Sequence, residues 1–153
     1  MSDELERAAA QAFCLVTESL AFMFPEPAAP EEVPCPAEPG MEARVTFSGA
    51  VTGEMSLALC RGTCAEVARN LMGLDFDQEV PRDQARDALQ ELVNVTCGET
   101  LVRVTPGDAV FDLSVPRLQR FETSGWKERL SSDALFFVME GDPAILHIEP
   151  EEG

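Results

Sequence analysis

Glu91 and Asn94 stand three apart in the stretch Asp87-Ala-Leu-Gln-Glu91-Leu-Val-Asn94-Val-Thr-Cys-Gly98. A carboxamide cannot act as a base near neutral pH. It can accept a hydrogen bond from water while donating one to an anionic oxygen, so it can place a water molecule. A carboxylate three residues away on a helix is its surface neighbour and can hold a cation on an incoming partner. The chain has only two asparagines, Asn70 and Asn94, so a chance Glu-x-x-Asn pairing is less expected here. The plainer reading of such a face is a solvated helix surface.

A helix must carry the pair. At about 100° per residue, Ala85, Ala88, Leu89, Leu92, Val93 and Thr96 share one side, and Asp87, Glu91, Asn94 and Gly98 share the other. A glycine inside a helix costs roughly 1 kcal/mol against Ala. At position 98 it leaves a notch beside Asn94 where another molecule can come close. The helix is predicted to start at Pro81–Asp83 and run to about Val102.

The remaining elements follow from local signals. Ser2-Asp3-Glu4 reads as an N-cap with an acidic first turn. Leu5, Ala8, Ala9, Ala12, Phe13, Val16, Leu20 and Met23 predict a first helix to about Phe24, where Pro25 ends it. A Pro-rich loop follows at 25–43; six of the 11 prolines lie between Pro25 and Gly40. Arg44–Gly49 and Val51–Leu59 read as strands joined by a tight Gly-rich turn. Thr63-Cys-Ala-Glu66 reads as a capping box, with Thr63 as N-cap, opening a helix from Ala65 to Met72 that stops at Gly73. Val110–Val115, Leu118–Glu122, Leu135–Met139 and Ala144–Ile148 read as strands. Ser124–Trp126 reads as a turn and Gly141-Asp-Pro143 as a hairpin signal. Glu149–Gly153 is an acidic tail. The order αββααββββ is an α+β layout, with helices packed on an antiparallel sheet.

The whole chain narrows the functions. Its 153 residues suit a single domain, residues 1–153, with a sizeable core. Eleven basic against 28 acidic residues give a formal charge of −17, a surface that repels nucleic acid and anionic membranes. No secretory signal opens the sequence and no apolar run nears the roughly 20 residues of a membrane span, so a cytoplasmic location is expected. The cysteines (Cys14, Cys35, Cys60, Cys64 and Cys97) are odd in number and form no C-x-x-C pair; free thiols are expected. The one histidine, His147, falls in a C-terminal strand, which argues against a zinc site or a Cys–His nucleophile.

Several stretches, in order, resemble the CheC/CheX/FliY phosphatases of bacterial chemotaxis, most nearly the CheX branch. Phe47-Ser-Gly49-Ala-Val-Thr-Gly53 resembles the family's glycine-punctuated hairpin. Ala65–Gly73 resembles its next helix. Asp87–Gly98 resembles its signature E-L-x-N-x-x-x-G, and Leu113-Ser-Val-Pro116 the extended segment that follows. The resemblance covers about residues 44–118 well and the ends loosely. It implies a phosphatase that hydrolyses the aspartyl-phosphate of a CheY-like response regulator. Glu91 and Asn94 are then the catalytic pair, with Asn94 orienting the attacking water and Glu91 docking a lysine of the partner. It implies no cofactor on this chain; Mg²⁺ would be held by the receiver's own acidic pocket. It implies a homodimer joined by sheet edges, for which the apolar C-terminal strands are candidates. CheC-like members often carry a second motif on the first helix. The corresponding residues here are Glu18 and Ala21, and Ala21 stands where Asn is needed, as in the one-site CheX branch. The alternatives are a CheX-like module that binds a receiver without catalysis and a flagellar switch component.

Overall fold

The computed structural model describes residues 2–151. Its strands are β1 (Glu26–Pro27), β2 (Gly40–Gly49), β3 (Gly53–Cys60), β4 (Phe111–Leu113), β5 (Arg117–Phe121), β6 (Leu135–Met139) and β7 (Asp142–Pro150). They form one wholly antiparallel sheet in the order β1-β6-β7-β3-β2-β4. Strand β5 shares the outer edge of β2 with β4, because β2 is long enough to pair with both. Ser114 joins the two pairings: its hydroxyl accepts a hydrogen bond from the Thr46 amide at 2.9 Å, and its own amide donates to the Thr46 carbonyl at 2.9 Å.

Alternation along the strands decides where the helices sit. Ala43, Val45 and Phe47 of β2, Met55, Leu57 and Leu59 of β3, and Ala144, Leu146 and Ile148 of β7 are all buried in one core. Three helices cover that face: α1 (Ser2–Ala21), α2 (Arg61–Met72) and α3 (Arg82–Val104). Phe13 of α1 meets Phe137 of β6 edge to face at 5.0 Å between ring centroids. The opposite face carries a smaller cluster of Ala58, Cys60, Phe121, Trp126 and Ile145 under a short helix, α4 (Gly125–Leu130). Trp126 is wholly buried there and its indole Nε1 donates to the Glu38 carbonyl at 2.8 Å.

The structure corrects several boundaries. Strand β2 begins at Gly40, so the Pro-rich stretch is shorter than 25–43. That stretch is also partly ordered into regular structure. Its β1 pairs with the outer edge of β6, and Pro30–Glu32 forms one 3₁₀ turn. Helix α1 ends at Ala21, before Phe24, because Phe22 takes a left-handed backbone (φ 54°). The capping box is not used. Helix α2 starts at Arg61, directly off β3, with Cys60 as its N-cap. Thr63 is therefore inside the helix, its hydroxyl buried without a partner, and Glu66 pairs instead with Arg69. The expected stop at Gly73 is present, at φ 68°. Gly125–Leu130 is helical and not a turn; six residues are too few for periodicity to announce them. The hairpin from β6 to β7 turns on Glu140 and Gly141, both at positive φ, as a type I′ turn requires. The expected cap on Ser2 and the end of the acidic tail fall on side chains and residues outside those described.

Candidate functional site

Helix α3 is held by its apolar face. Ala88, Leu89, Leu92, Val93, Thr96, Cys97, Thr100 and Leu101 are buried. Pressing them onto the sheet and onto α1 and α2 turns the remaining positions outward. Glu91 and Asp87 are exposed, and Asn94 and Gly98 are half-buried on the same side. A Cβ built at Gly98 meets no atom within 4 Å, so nothing inside the molecule requires a glycine there.

The two asparagines are used differently. Asn70 is spent on the fold: its Nδ2 donates to the Ala21 carbonyl at 2.6 Å, tying the end of α2 to the end of α1. Gln90, on the flank of α3, is likewise engaged, donating to the Pro116 carbonyl at 2.8 Å. The Asn94 amide has no hydrogen-bond partner among the described residues, and it is not buried away from water. Glu91 makes no ion pair among the described residues. Beside it, Ala68, Leu71 and Met72 of α2 form one wall of a shallow groove of about 280 Å³, with Asp87 and Glu91 on the other. The spacing on α3 gives no hint of this apolar wall; the one signal for it in the sequence is the apolar end of α2.

The other candidate chemistries fail on geometry. Cys97 lies on the buried side of α3, and burial pushes its thiol up to about 12, so it is neutral. Cys64 is raised to about 12 by burial; Cys60 is raised to about 12 by burial and by the charges of Asp142 and Glu38. None is a thiolate nucleophile. His147 pairs with Ser56 in register, on the face of the sheet opposite Leu57 and the three long helices. The sheet therefore separates it from Asn94. What the face of α3 offers is a free carboxamide, two carboxylates and an open notch.

The first helix carries no second site of this kind. Glu18 is exposed, but Ala21 is fully buried and its carbonyl is taken by Asn70. A side chain at position 21 points into the core.

Residues 41–139, well over half the chain, match the family model described as chemotaxis phosphatase CheX. This chain belongs to the CheX family. No curated protein matches it by sequence. Among solved structures it is similar to CheX from Vibrio vulnificus, with a TM-score of 0.72 at 16% identity, covering 96% of each chain. It is similar to CheX from Desulfovibrio desulfuricans, with a TM-score of 0.70 at 15% identity, covering 97% of this chain and 99% of that one. It is also similar to CheX in the CheX–CheY–BeF₃–Mg²⁺ complex from Borrelia burgdorferi, with a TM-score of 0.62 at 17% identity, covering 95% and 97%. The CheX fold thus extends over the α1 and β7 ends, which the sequence resemblance covers only loosely. No helix among the described residues is long and apolar enough to cross a membrane.

Proposed function

We propose that this chain hydrolyses the aspartyl-phosphate of a CheY-like receiver domain. Asn94 orients the attacking water and Glu91 docks the partner. The observation that carries this reading is the uncommitted Asn94 amide on α3, where the amide of Gln90 on the flank of the same helix and that of Asn70 on α2 are committed to the fold. Membership of the CheX family supports the reaction class. The complex of the Borrelia relative with CheY supports the partner.

An acyl phosphate is already reactive, so its hydrolysis needs a placed water more than an activated one. Asn94 Oδ1 accepts a hydrogen bond from the water, and Nδ2 donates to a phosphoryl oxygen. The two bonds together set the water in line with the phosphorus. The water oxygen bonds to phosphorus as the bond from phosphorus to the aspartyl oxygen breaks. The products are orthophosphate and the free carboxylate. Glu91 is suited to a lysine of the receiver rather than to the phosphate, since two anions repel. Mg²⁺ is the receiver's ligand in this scheme, and the chain supplies no cofactor of its own.

A sheet-edge dimer through the C-terminal strands is not what this geometry favours. Strand β7 lies between β6 and β3, and the outer edge of β6 is occupied by β1, with the Ala28 amide donating to the Phe136 carbonyl at 3.0 Å. One site per chain suffices for the reaction as written.

The test is the decay of a phosphorylated receiver followed with and without this chain. Faster decay with the native chain is expected, and loss of about 10²-fold of the acceleration with Asn94→Ala, the scale set by removing one positioned amide from an active site. Decay unchanged by the native chain would falsify the reading. Binding of the receiver without acceleration would leave a docking module instead.

A further inference from the structure

Four of the ten arginines, Arg61, Arg82, Arg86 and Arg120, line one cavity of about 570 Å³. It opens where α2 leaves β3, where α3 begins and where β5 edges the sheet. In a chain with 28 acidic residues, Glu38 is the only acid in its lining. One Glu38 oxygen is engaged by the Gly62 amide at 3.4 Å. Arg120 reaches Glu122 at 3.9 Å, and the other three arginines make no ion pair among the described residues. Arg61 and Arg82 are the first residues of α2 and α3, so both helices begin at the cavity. The floor is apolar, built from Met41, Cys64, Ala65, Val80 and Ala85.

We infer that this cavity binds a phosphorylated small molecule of nucleotide size, its phosphates on the arginines and its flat apolar part on the floor. Guanidinium groups match phosphate oxygens in two-pronged hydrogen bonds, and arginine planes and apolar walls accept a ring. The volume falls within the range of small-ligand sites, roughly 300–1,000 Å³. With four cationic groups against one carboxylate, a metal cation is excluded on charge. The described end of β7 lies at the far end of β3 from it. Pro150 pairs with Gly53, whereas Cys60 marks the cavity end of β3, about 23 Å away at roughly 3.3 Å per residue. The cavity is also separate from the phosphatase face. Arg86 precedes Glu91 by five residues, which places it about 140° around the helix.

Calorimetric titration of the full chain at low salt with adenosine diphosphate, pyrophosphate and adenosine tests this. Adenosine diphosphate is expected to bind at least about 10-fold tighter than adenosine. The paired substitution Arg82→Ala and Arg86→Ala is expected to weaken it by about 10-fold or more, with the melting temperature little changed because both side chains are exposed. Amide NMR shifts on adding the nucleotide are expected at Arg61–Ala65 and Arg82–Arg86. Pyrophosphate binding as tightly as adenosine diphosphate would remove the ring from the proposal and overturn the nucleotide class. No binding at millimolar adenosine diphosphate, or binding indifferent to the paired substitution, overturns the site. So does a paired variant that binds no less nucleotide but docks the receiver more weakly, which would make these arginines a protein contact. Nucleotide binding is read here without any phosphatase assay, so its failure and that of the proposed reaction are distinguishable.

Discussion

At the scale of single residues, the distinction that matters is between a side chain the fold consumes and one it leaves free. Asn70 and Asn94 are the same chemical group in two such states. Replacing Asn70 with Ala removes a half-buried bond to the Ala21 carbonyl and is expected to lower stability by about 1–2 kcal/mol while receiver dephosphorylation persists. Asn94→Ala is expected to do the reverse: the denaturation midpoint stays put and the acceleration is lost. Paired melts and decay assays of the two variants separate the roles, and an Asn94→Ala protein that melts early but still accelerates decay would reverse the assignment. Glu91 makes its contact, in this scheme, before and during the reaction alike. Glu91→Ala should therefore raise the receiver concentration needed for half-maximal rate by about 10-fold or more, with a smaller effect on the saturated rate. A change confined to the saturated rate would place Glu91 in the chemistry instead.

Helix α3 shows how one element serves two surfaces. Its buried face fixes its rotation on the core, and that rotation alone decides that Glu91, Asn94 and Gly98 face outward. Gly98 is a cost to the helix that the fold does not demand, since its missing Cβ would meet only open space. Gly98→Ala is expected to raise stability by about 0.5–1 kcal/mol. Gly98→Leu keeps a good helix former but fills the notch, and is expected to slow receiver dephosphorylation by about 10-fold with no drop in melting temperature. Full activity in the Leu variant would mean that no partner enters the notch. The other elements show why short signals misled. The Thr63–Glu66 pattern has the letters of a capping box, yet β3 runs into α2 without a linker, and the strand's last residue takes the capping place.

The whole molecule has an unusual alkaline inventory. It contains no tyrosine and one lysine, so between pH 9 and 12 the difference in proton binding between the folded and unfolded chain falls mainly on its buried thiols. Cys60, Cys64 and Cys97 stay protonated in the fold up to about 12, with burial the first cause in each. In the unfolded chain they ionise near their ordinary value of 9.0. The unfolded state then binds fewer protons than the native one, so stability falls as pH rises. The contribution of each thiol is complete below pH 9 and is lost progressively towards 12, at up to about 1.4 kcal/mol per pH unit. Urea midpoints measured from pH 8 to 11 should fall steeply above 9. A flat profile would show the thiols reachable by water in the folded state.

Local pattern along the chain determined much of this protein by itself: the long apolar faces of α1 and α3, the apolar runs bounded by turn residues that form β2, β3 and β7, and so the α+β class. The signature on α3 also singled out Glu91 and Asn94. Those features are legible because each is local and tied to a single helix or strand. Tertiary structure decided what depends on neighbours far along the chain. Only there does Asn70 meet Ala21 while Asn94 finds no hydrogen-bond partner among the described residues, and only there does the Pro-rich segment become the cover of the β6 edge. The arginine cavity belongs to the same class. Its four side chains come from α2, α3 and β5, and no spacing in the sequence brings Arg61, Arg86 and Arg120 together; packing does.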